Sequence, residues 1–242
     1  MPFPKINLHI HSTFSDGKNS IRQLVERALT LNLDIIAITD HFTNSWKEWV
    51  TKLINVEKVN EYLEEISQCQ TYLRKNKNNL QVFKGIEIDL GSSFQFIKRI
   101  IQPSKFDIVL FEYLQDYETI AFLKNIINFW KRSIDNVNEM PIIGLAHFDP
   151  SFFVHDNLDI LISFLENYSI YFEFNSSYPT YYSRQNESFF IKLRDHNIPV
   201  AIGCDSHSQR SLIDIEEPLE MIEYYNLGRN FQKLLKLLKV KC

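Results

Sequence analysis

The segment Leu8-His9-Ile10-His11-Ser12-Thr13-Phe14-Ser15-Asp16-Gly17 sets two histidines one residue apart, with an acid in the turn-like Ser-Asp-Gly that follows. In a β-strand, residues i and i+2 face the same side. A strand over residues 5–11 therefore presents both imidazoles together. Imidazole and carboxylate together are a donor set for zinc, manganese or iron.

The same residue types recur at the ends of later apolar runs. Asp40 and His41 close LDIIAITDH, and Glu87 and Asp89 lie near the end of NLQVFKGIEIDL. Glu112 lies near the end of FDIVLFEYL. His147 closes PIIGLAH, with Asp149 just behind. Glu173 and Asn175 end SIYFEFNSS, and Asp205 and His207 end IPVAIGCDSH. Five of the seven histidines fall in this set. The donors exceed what one ion uses, so two or three divalent ions are expected. Clustered ions can clamp the attacking and leaving oxygens of a phosphoryl group. The rival is a Ser-His-Asp triad, but no G-x-S-x-G occurs. A glycine-rich phosphate loop is also absent from a chain with six glycines.

The elements that must position these groups alternate. KINLHIH reads as the first strand. Ser20 reads as the N-cap of a helix carrying Ile21, Leu24, Val25, Ala28 and Leu29 on one face. LDIIAITDH is a continuous apolar run of the buried parallel type. Residues 46–75 read as a helix with Val56, Val59, Leu63, Ile66 and Leu73 inward. Strands over NLQVFKGIEIDL, FDIVLFEYL, PIIGLAH, SIYFEFNSS and IPVAIGCDSH follow, with helices at 118–132, 157–167 and 184–196 and a helical tail. Seven strands alternating with helices predict right-handed crossovers and a parallel sheet. Roughly 35 residues per unit is the spacing of an α/β barrel, whose active site lies at the C-terminal ends of its strands. No linker or repeat divides the chain, so residues 1–242 read as one domain.

Composition narrows the partners. A formal net charge of −4 offers no whole-protein attraction for long nucleic acid or anionic lipid. The cysteines, Cys69, Cys204 and Cys242, are odd in number and form no C-x-x-C pair, which fits a reducing, cytoplasmic setting. No signal peptide or membrane-spanning run is legible.

In their order, the motifs L-H-I-H-S-T-F-S-D-G, A-I-T-D-H, G-I-E, A-H and G-C-D-S-H resemble those of the PHP (polymerase and histidinol phosphatase) superfamily, over residues 9–207. The resemblance implies a distorted (β/α)7 TIM-like barrel with a di- or trinuclear metal centre and phosphoester hydrolysis. Carried over, His9, His11, Glu87 and Asp205 resemble the ligands of a first metal. Glu87 would bridge to a second, also held by His147. Asp16, His41 and His207 resemble the set for a third. Members usually carry another histidine after strand four. This chain has none there, and Glu112 is the substitute on offer.

Other polar residues have two readings each. Asp40 is expected to hydrogen-bond a ligand imidazole. Asn175 would touch substrate, or bond the next loop. Arg184 and Arg210 would grip a phosphate, or remain solvated. Tyr178, Tyr181 and Tyr182 would stack on a ring or pack a lid. Cys204 reads as a buried apolar residue, His196 as surface, and His155 as within reach of the mouth.

The expected function is hydrolysis of a small phosphomonoester, histidinol-phosphatase-like, by a metal-bridging hydroxide. His9, His11, Glu87, Asp205 and His207 would be catalytic. The ligands are expected among His9, His11, Asp16, His41, Glu87, Glu112, His147, Asp205 and His207. The alternatives are a nucleotidase or oligonucleotide phosphoesterase, which the Ser-Asp-Gly form favours, and a non-catalytic metal-binding barrel.

Overall fold

The computed structural model describes residues 3–46, 48–154 and 158–240. Strand and helix alternate as the apolar runs predict. β1 (Ile6–Asn7) leads to α1 (Ile21–Thr30), β2 (Ile35–Ile38) and β3 (His41–Phe42). Then come α2 (Val56–Lys75), β4 (Gln81–Lys84), β5 (Glu87–Asp89) and α3 (Phe94–Ile100). β6 (Ile108–Glu112), α4 (Tyr117–Ser133) and β7 (Ile142–Leu145) follow. The short α5 (Ser151–Val154) precedes α6 (Leu158–Tyr168) and β8 (Tyr171–Asn175). α7 (Glu187–Asp195), β9 (Val200–Gly203), α8 (Glu216–Tyr224) and α9 (Gly228–Val240) complete the described chain.

All pairings between these strands are parallel. One sheet has the order β1-β2-β4, the other β3-β5-β6-β7-β8-β9. The two are successive stretches of one strand system. β3 continues the path of β2, and β5 that of β4, so the described residues follow seven strand paths in chain order. The last path returns to the first. Leu8 N–H donates to Ile202 O (2.9 Å), His11 N–H to Ser206 O (3.0 Å), and Ser206 N–H to His9 O (3.1 Å). This is the sequential parallel order of the expected (β/α)7 barrel.

The interruption of the second and third strands has a local cause. The Tyr62 hydroxyl, buried on α2, lies 2.7 Å from Ile38 O and 2.9 Å from Gly85 O, where β2 and β4 end. It supplies a donor where the regular ladder stops, as buried carbonyls require. A second difference lies just before α2. The expected helix from residue 46 begins at Val56, because Asn55 caps it by accepting from Lys58 N–H at 2.8 Å. Val56 stays exposed, whereas Val59, Leu63, Ile66 and Leu73 are buried as expected. Trp46, inside the expected helix, instead lines the mouth of the strands.

α1 starts where expected. Ser20 Oγ accepts from Gln23 N–H, and Gln23 Oε1 accepts from Ser20 N–H, a reciprocal capping box. Ser20→Ala is expected to lower stability by about 1 kcal/mol, read as a lower urea midpoint at unchanged m-value.

Candidate metal centre

The strand ends bring nine predicted residues to one place. His9 Nε2 lies 3.3 Å from Glu87 Oε2 and 3.5 Å from Asp205 Oδ1. His11 Nε2 lies 2.9 Å from Asp205 Oδ1 and 3.5 Å from Glu87 Oε2. His41 Nδ1 is 2.9 Å from Glu87 Oε2 and 3.5 Å from Glu112 Oε1. His147 Nε2 approaches the other Glu87 oxygen, Oε1, at 3.3 Å. At the rim, His207 Nε2 and Asp16 Oδ2 are 3.1 Å apart.

Among the described residues, three groups of donor atoms are close enough to share an ion: His9, His11 and Asp205; His41, Glu87 and Glu112; and His11, Asp16, His41 and His207. Glu112, on the path that lacks a histidine, therefore stands with His41 and Glu87. His147 lies outside the three groups and reaches the centre through Glu87.

Among the described residues, several buried polar atoms here have no hydrogen-bond partner of regular geometry: His9 Nε2, His11 Nε2, His41 Nδ1, both oxygens of Glu87, and Glu112 Oε1. Buried polar groups normally find partners, because an unpaired one costs about 1–3 kcal/mol and an unpaired charge more. Here the orphans face one another, and the set is imidazole and carboxylate with no thiolate. Divalent zinc, manganese or iron fits it.

The charges of the metal-free site follow from this crowding. Burial opposes ionisation of Glu87, yet His9, His41 and His147 outweigh it and hold its pKa well below the ordinary range. Burial likewise opposes a charged His9, but Glu173, Glu87 and Asp205 raise its pKa well above 6.5. His41 is raised against its burial by Glu87 and Glu112, and His147 against its burial by Glu87. Burial lowers His11, helped by the neighbouring His41 and His9. Burial together with the nearby Glu87 charge lifts Glu112 to about 7. Asp16 falls to about 2 despite burial, through His207 and the imidazoles beside it.

A layer behind the donors holds them, and its chief member is one to which the sequence reading assigns no role. Glu173 Oε1 sits 2.9 Å from His9 Nδ1. Its other oxygen accepts from His147 N–H at 2.7 Å and from Asn175 Nδ2 at 3.0 Å. A carboxylate on Nδ1 fixes the tautomer that leaves Nε2 as the free donor. The one available signal was the alternation of Glu173 with Asn175 at a strand end. Gly203 makes room for this contact, since a Cβ there would collide with the Glu173 carboxylate and lie 2.8 Å from His9 Cβ.

Asp40 departs from its expected role. It accepts from Ser12 N–H (2.8 Å), Ser12 Oγ (2.7 Å), Ser15 N–H (2.9 Å) and Ser15 Oγ (2.6 Å), rather than from a ligand imidazole. It thus anchors the turn that carries Asp16. Asp89 turns to Thr43 Oγ1 (2.7 Å), Ser45 Oγ and Gly91 N–H (2.6 Å) in the adjoining loop.

The phosphate-gripping residues expected outside the centre are not at its mouth. Arg184 lies over the Tyr224 ring, 5.0 Å from its centroid. Arg210 is exposed, with its N–H on Ser208 Oγ, and does not line the cavity above the donors. Asn175 is buried and bonds Glu173 and the next loop, accepting from Ser177 N–H at 3.0 Å. Tyr178 and Tyr181 line the mouth, while Tyr182 is buried in the core. Asp149 also lines the mouth and accepts from Ser151 N–H. Cys204 is buried, which pushes its thiol up to about 12. His196 is exposed and pairs with Glu166 at 2.9 Å. His155 and Cys242 lie outside the described residues.

The chain belongs to the PHP domain family, whose model matches residues 7–240. It is similar in fold to a histidinol phosphate phosphatase from Lactococcus lactis subsp. lactis Il1403, solved complexed with Zn, L-histidinol and phosphate. That likeness is 19% identity, 91% of this chain, 93% of the other and a TM-score of 0.62. It also resembles the metal-dependent tyrosine phosphatases YwqE from Bacillus subtilis and CpsB from Streptococcus pneumoniae, at 18% identity, 90% of this chain, 86% of the other and a TM-score of 0.55. In sequence it is 34% identical over 86 residues to the DNA polymerase/3'-5' exonuclease PolX of Bacillus subtilis (strain 168), which is 36% of this chain and 14% of that protein. Among the described residues, no helix is long and apolar enough to cross a membrane.

Three outcomes are expected. Ligation needs neutral imidazoles, and the metal-free site holds protons on His9, His41 and His147 above their ordinary 6.5. Loading zinc at pH 7 should therefore release protons, so the calorimetric enthalpy should vary with the buffer's ionisation enthalpy. The raised histidines stabilise the metal-free fold fully below pH 6.5, and this is lost as pH rises through their folded values. The lowered Glu87 and Asp16 stabilise it above their ordinary values, near 4, and this is lost on acidification. Metal-free protein should thus melt highest at pH 5–6, and metal-loaded protein at higher pH. Separately, Glu173→Gln should weaken metal affinity about 10–100-fold, measured by chelator competition.

Proposed function

We propose that this chain is a metal-dependent phosphoesterase acting on a small phosphomonoester. The observation that carries the reading is the set of buried, unpartnered imidazole and carboxylate atoms around Glu87. Family membership supports it, and the phosphate held by the histidinol phosphate phosphatase neighbour fits the same substrate class.

His9, His11, Asp205 and Glu87 would hold one ion. Glu87 would extend to a second, with His41, Glu112 and His147 around it. Asp16, His41 and His207 would hold a third near the rim. Bound divalent ions supply Lewis acidity, which lowers the pKa of water and neutralises the oxygens of a phosphoryl group.

The chain's own residues prepare the site for that chemistry. Glu173 keeps His9 Nε2 inward and fixes the His147 backbone. Asp40 holds the turn that carries Asp16 to the rim beside His207. In the net reaction water oxygen bonds to phosphorus, the bond to the leaving oxygen breaks, and that oxygen takes a proton from a site acid or water.

A nucleotidase or oligonucleotide phosphoesterase is the second reading, favoured by the partial match to PolX. A non-catalytic metal-binding barrel is the third, motivated by the missing histidine on the fourth path.

The test is metal content per chain, with turnover of p-nitrophenyl phosphate and of a panel containing histidinol phosphate and mononucleotides. Two or three ions and turnover abolished by chelator are expected. Glu87→Gln should lose about 10³-fold in kcat/KM, the several kcal/mol that charge neutralisation by ions provides. Preference for nucleotides would favour the second reading. Bound metal without turnover of any phosphoester would favour the third.

A further inference from the structure

Asp89 is a buried carboxylate outside the three donor groups. It stands two residues after Glu87 on β5, so strand alternation turns both toward one face. Glu87 enters the centre, whereas Asp89 turns to two loops. Its Oδ2 accepts from Thr43 Oγ1 at 2.7 Å and from Ser45 Oγ, and its Oδ1 accepts from Gly91 N–H at 2.6 Å. All three donors are neutral. Burying a carboxylate is costly unless its oxygens are bonded. What it offers here is acceptor capacity on both oxygens at once, which a hydroxyl or an amide lacks. Ser92 Oγ joins the same two loops, donating to Thr43 Oγ1 (3.2 Å) and accepting from Asn44 N–H (3.2 Å). Ser93 N–H donates to Asn44 Oδ1 at 3.1 Å.

The residue that follows this network is Trp46. Its ring lies against His41, centroids 4.3 Å apart, with 59° between planes. His41 is only 6% exposed although it lines the mouth. The far end of the loop returns to the same strand, where Leu53 N–H donates to His41 O at 2.8 Å. The loop between β3 and α2 therefore leaves the strand end that bears His41, is pinned to Asp89 at its start and comes back to His41 at its end. Trp46 itself stays half-buried.

We infer that Asp89 is a positioning residue for the metal centre. Through Thr43 and Ser45 it holds Trp46 against His41, and the ring retains the ion that His41 helps to bind. This rests on the metal centre of the proposed function and adds a residue that acts from outside the donor set. The physical reason is exclusion of water. A ring beside a ligand imidazole limits the approach of solvent, and drier surroundings strengthen the attraction between an ion and its carboxylates.

Indole emission reads this contact. The chain has three tryptophans. Trp130 is buried in the core and Trp49 is 77% exposed. The difference between wild-type protein and Trp46→Phe isolates the indole beside His41. Zinc is added to metal-free protein and then withdrawn with excess EDTA, with emission and bound zinc followed together. Loading is expected to change wild-type emission, because a cation arriving on His41 acts on the adjacent π-system. The change should vanish in Trp46→Phe. Asp89→Asn and Ser45→Ala should each lose most of it and speed the release phase that carries it by about tenfold, the low end of what partners behind a metal ligand contribute. Trp46→Ala should speed release equally, read from bound zinc. Ser45→Thr, which keeps the hydroxyl, should match wild type. Ser45 is exposed, so Ser45→Ala keeps the test open if Asp89→Asn does not fold. A change that is absent from zinc-loaded wild-type protein, or that persists in Trp46→Phe, overturns the contact with a liganded His41 and leaves the metal centre standing. Unaltered release from Trp46→Ala overturns retention by the ring. Wild-type signal and release in the Asp89 and Ser45 variants, with a lower melting temperature alone, overturns the positioning role. Uptake of no zinc by wild-type protein overturns the metal-centre reading and the proposal with it.

Discussion

Glu87 is the constraint on which the site turns. Its carboxylate is wholly buried, neither oxygen has a hydrogen-bond partner of regular geometry among the described residues, and four imidazoles face it at 2.9–3.5 Å. A buried carboxylate without compensation is among the costliest features a fold can carry. Only positive charge can offset it. In the metal-free protein that charge comes from protons on His9, His41 and His147, and divalent ions would take their place. The low pKa of Glu87 and the high pKa values of those histidines are two descriptions of one interaction.

Parallel strands bring this charge together. Each strand ends at the same face, and the chain must turn away while its last side chain remains in the centre. At three such ends a non-glycine residue adopts positive φ: Tyr113 after β6, His147 after β7 and Asp205 after β9. Such conformations persist where the surroundings over-determine them. His147 shows how, because Glu173 on the neighbouring strand accepts its backbone N–H. Glu173 thereby ties two donor residues from separate strands to one carboxylate. Gly203 belongs to the same arrangement, since any larger residue would displace that carboxylate.

The rim follows a different logic from the floor. The floor is charge held by charge, whereas at the rim rings lie tilted against the donor imidazoles, Trp46 against His41 and Tyr178 against His147. A ring in that position shields its histidine from water, which strengthens the electrostatics beneath it. Its remaining surface shapes the entrance.

Much of this was legible in the chain itself. Periodicity of apolar residues gave the alternation of strand and helix, because burial on both sheet faces and on one helix face writes itself into local order. The Ser20 cap and the paired His9 and His11 are likewise local patterns. Three features were decided only by the tertiary structure. Trp46 falls in the expected helix, yet α2 begins at Val56 and Trp46 meets His41 at the mouth. Arg184 looks like a phosphate ligand by its position after a strand, yet it finds Tyr224 on another helix. Glu173 looks like one more strand-end acid, yet it reaches His9, 164 residues away in the chain. Residue types and their spacing determine which chemistry is available, because side-chain direction along a strand is a local property. Which carboxylate faces the centre and which supports an imidazole from behind depends on contacts between distant strands, and only the folded chain makes them.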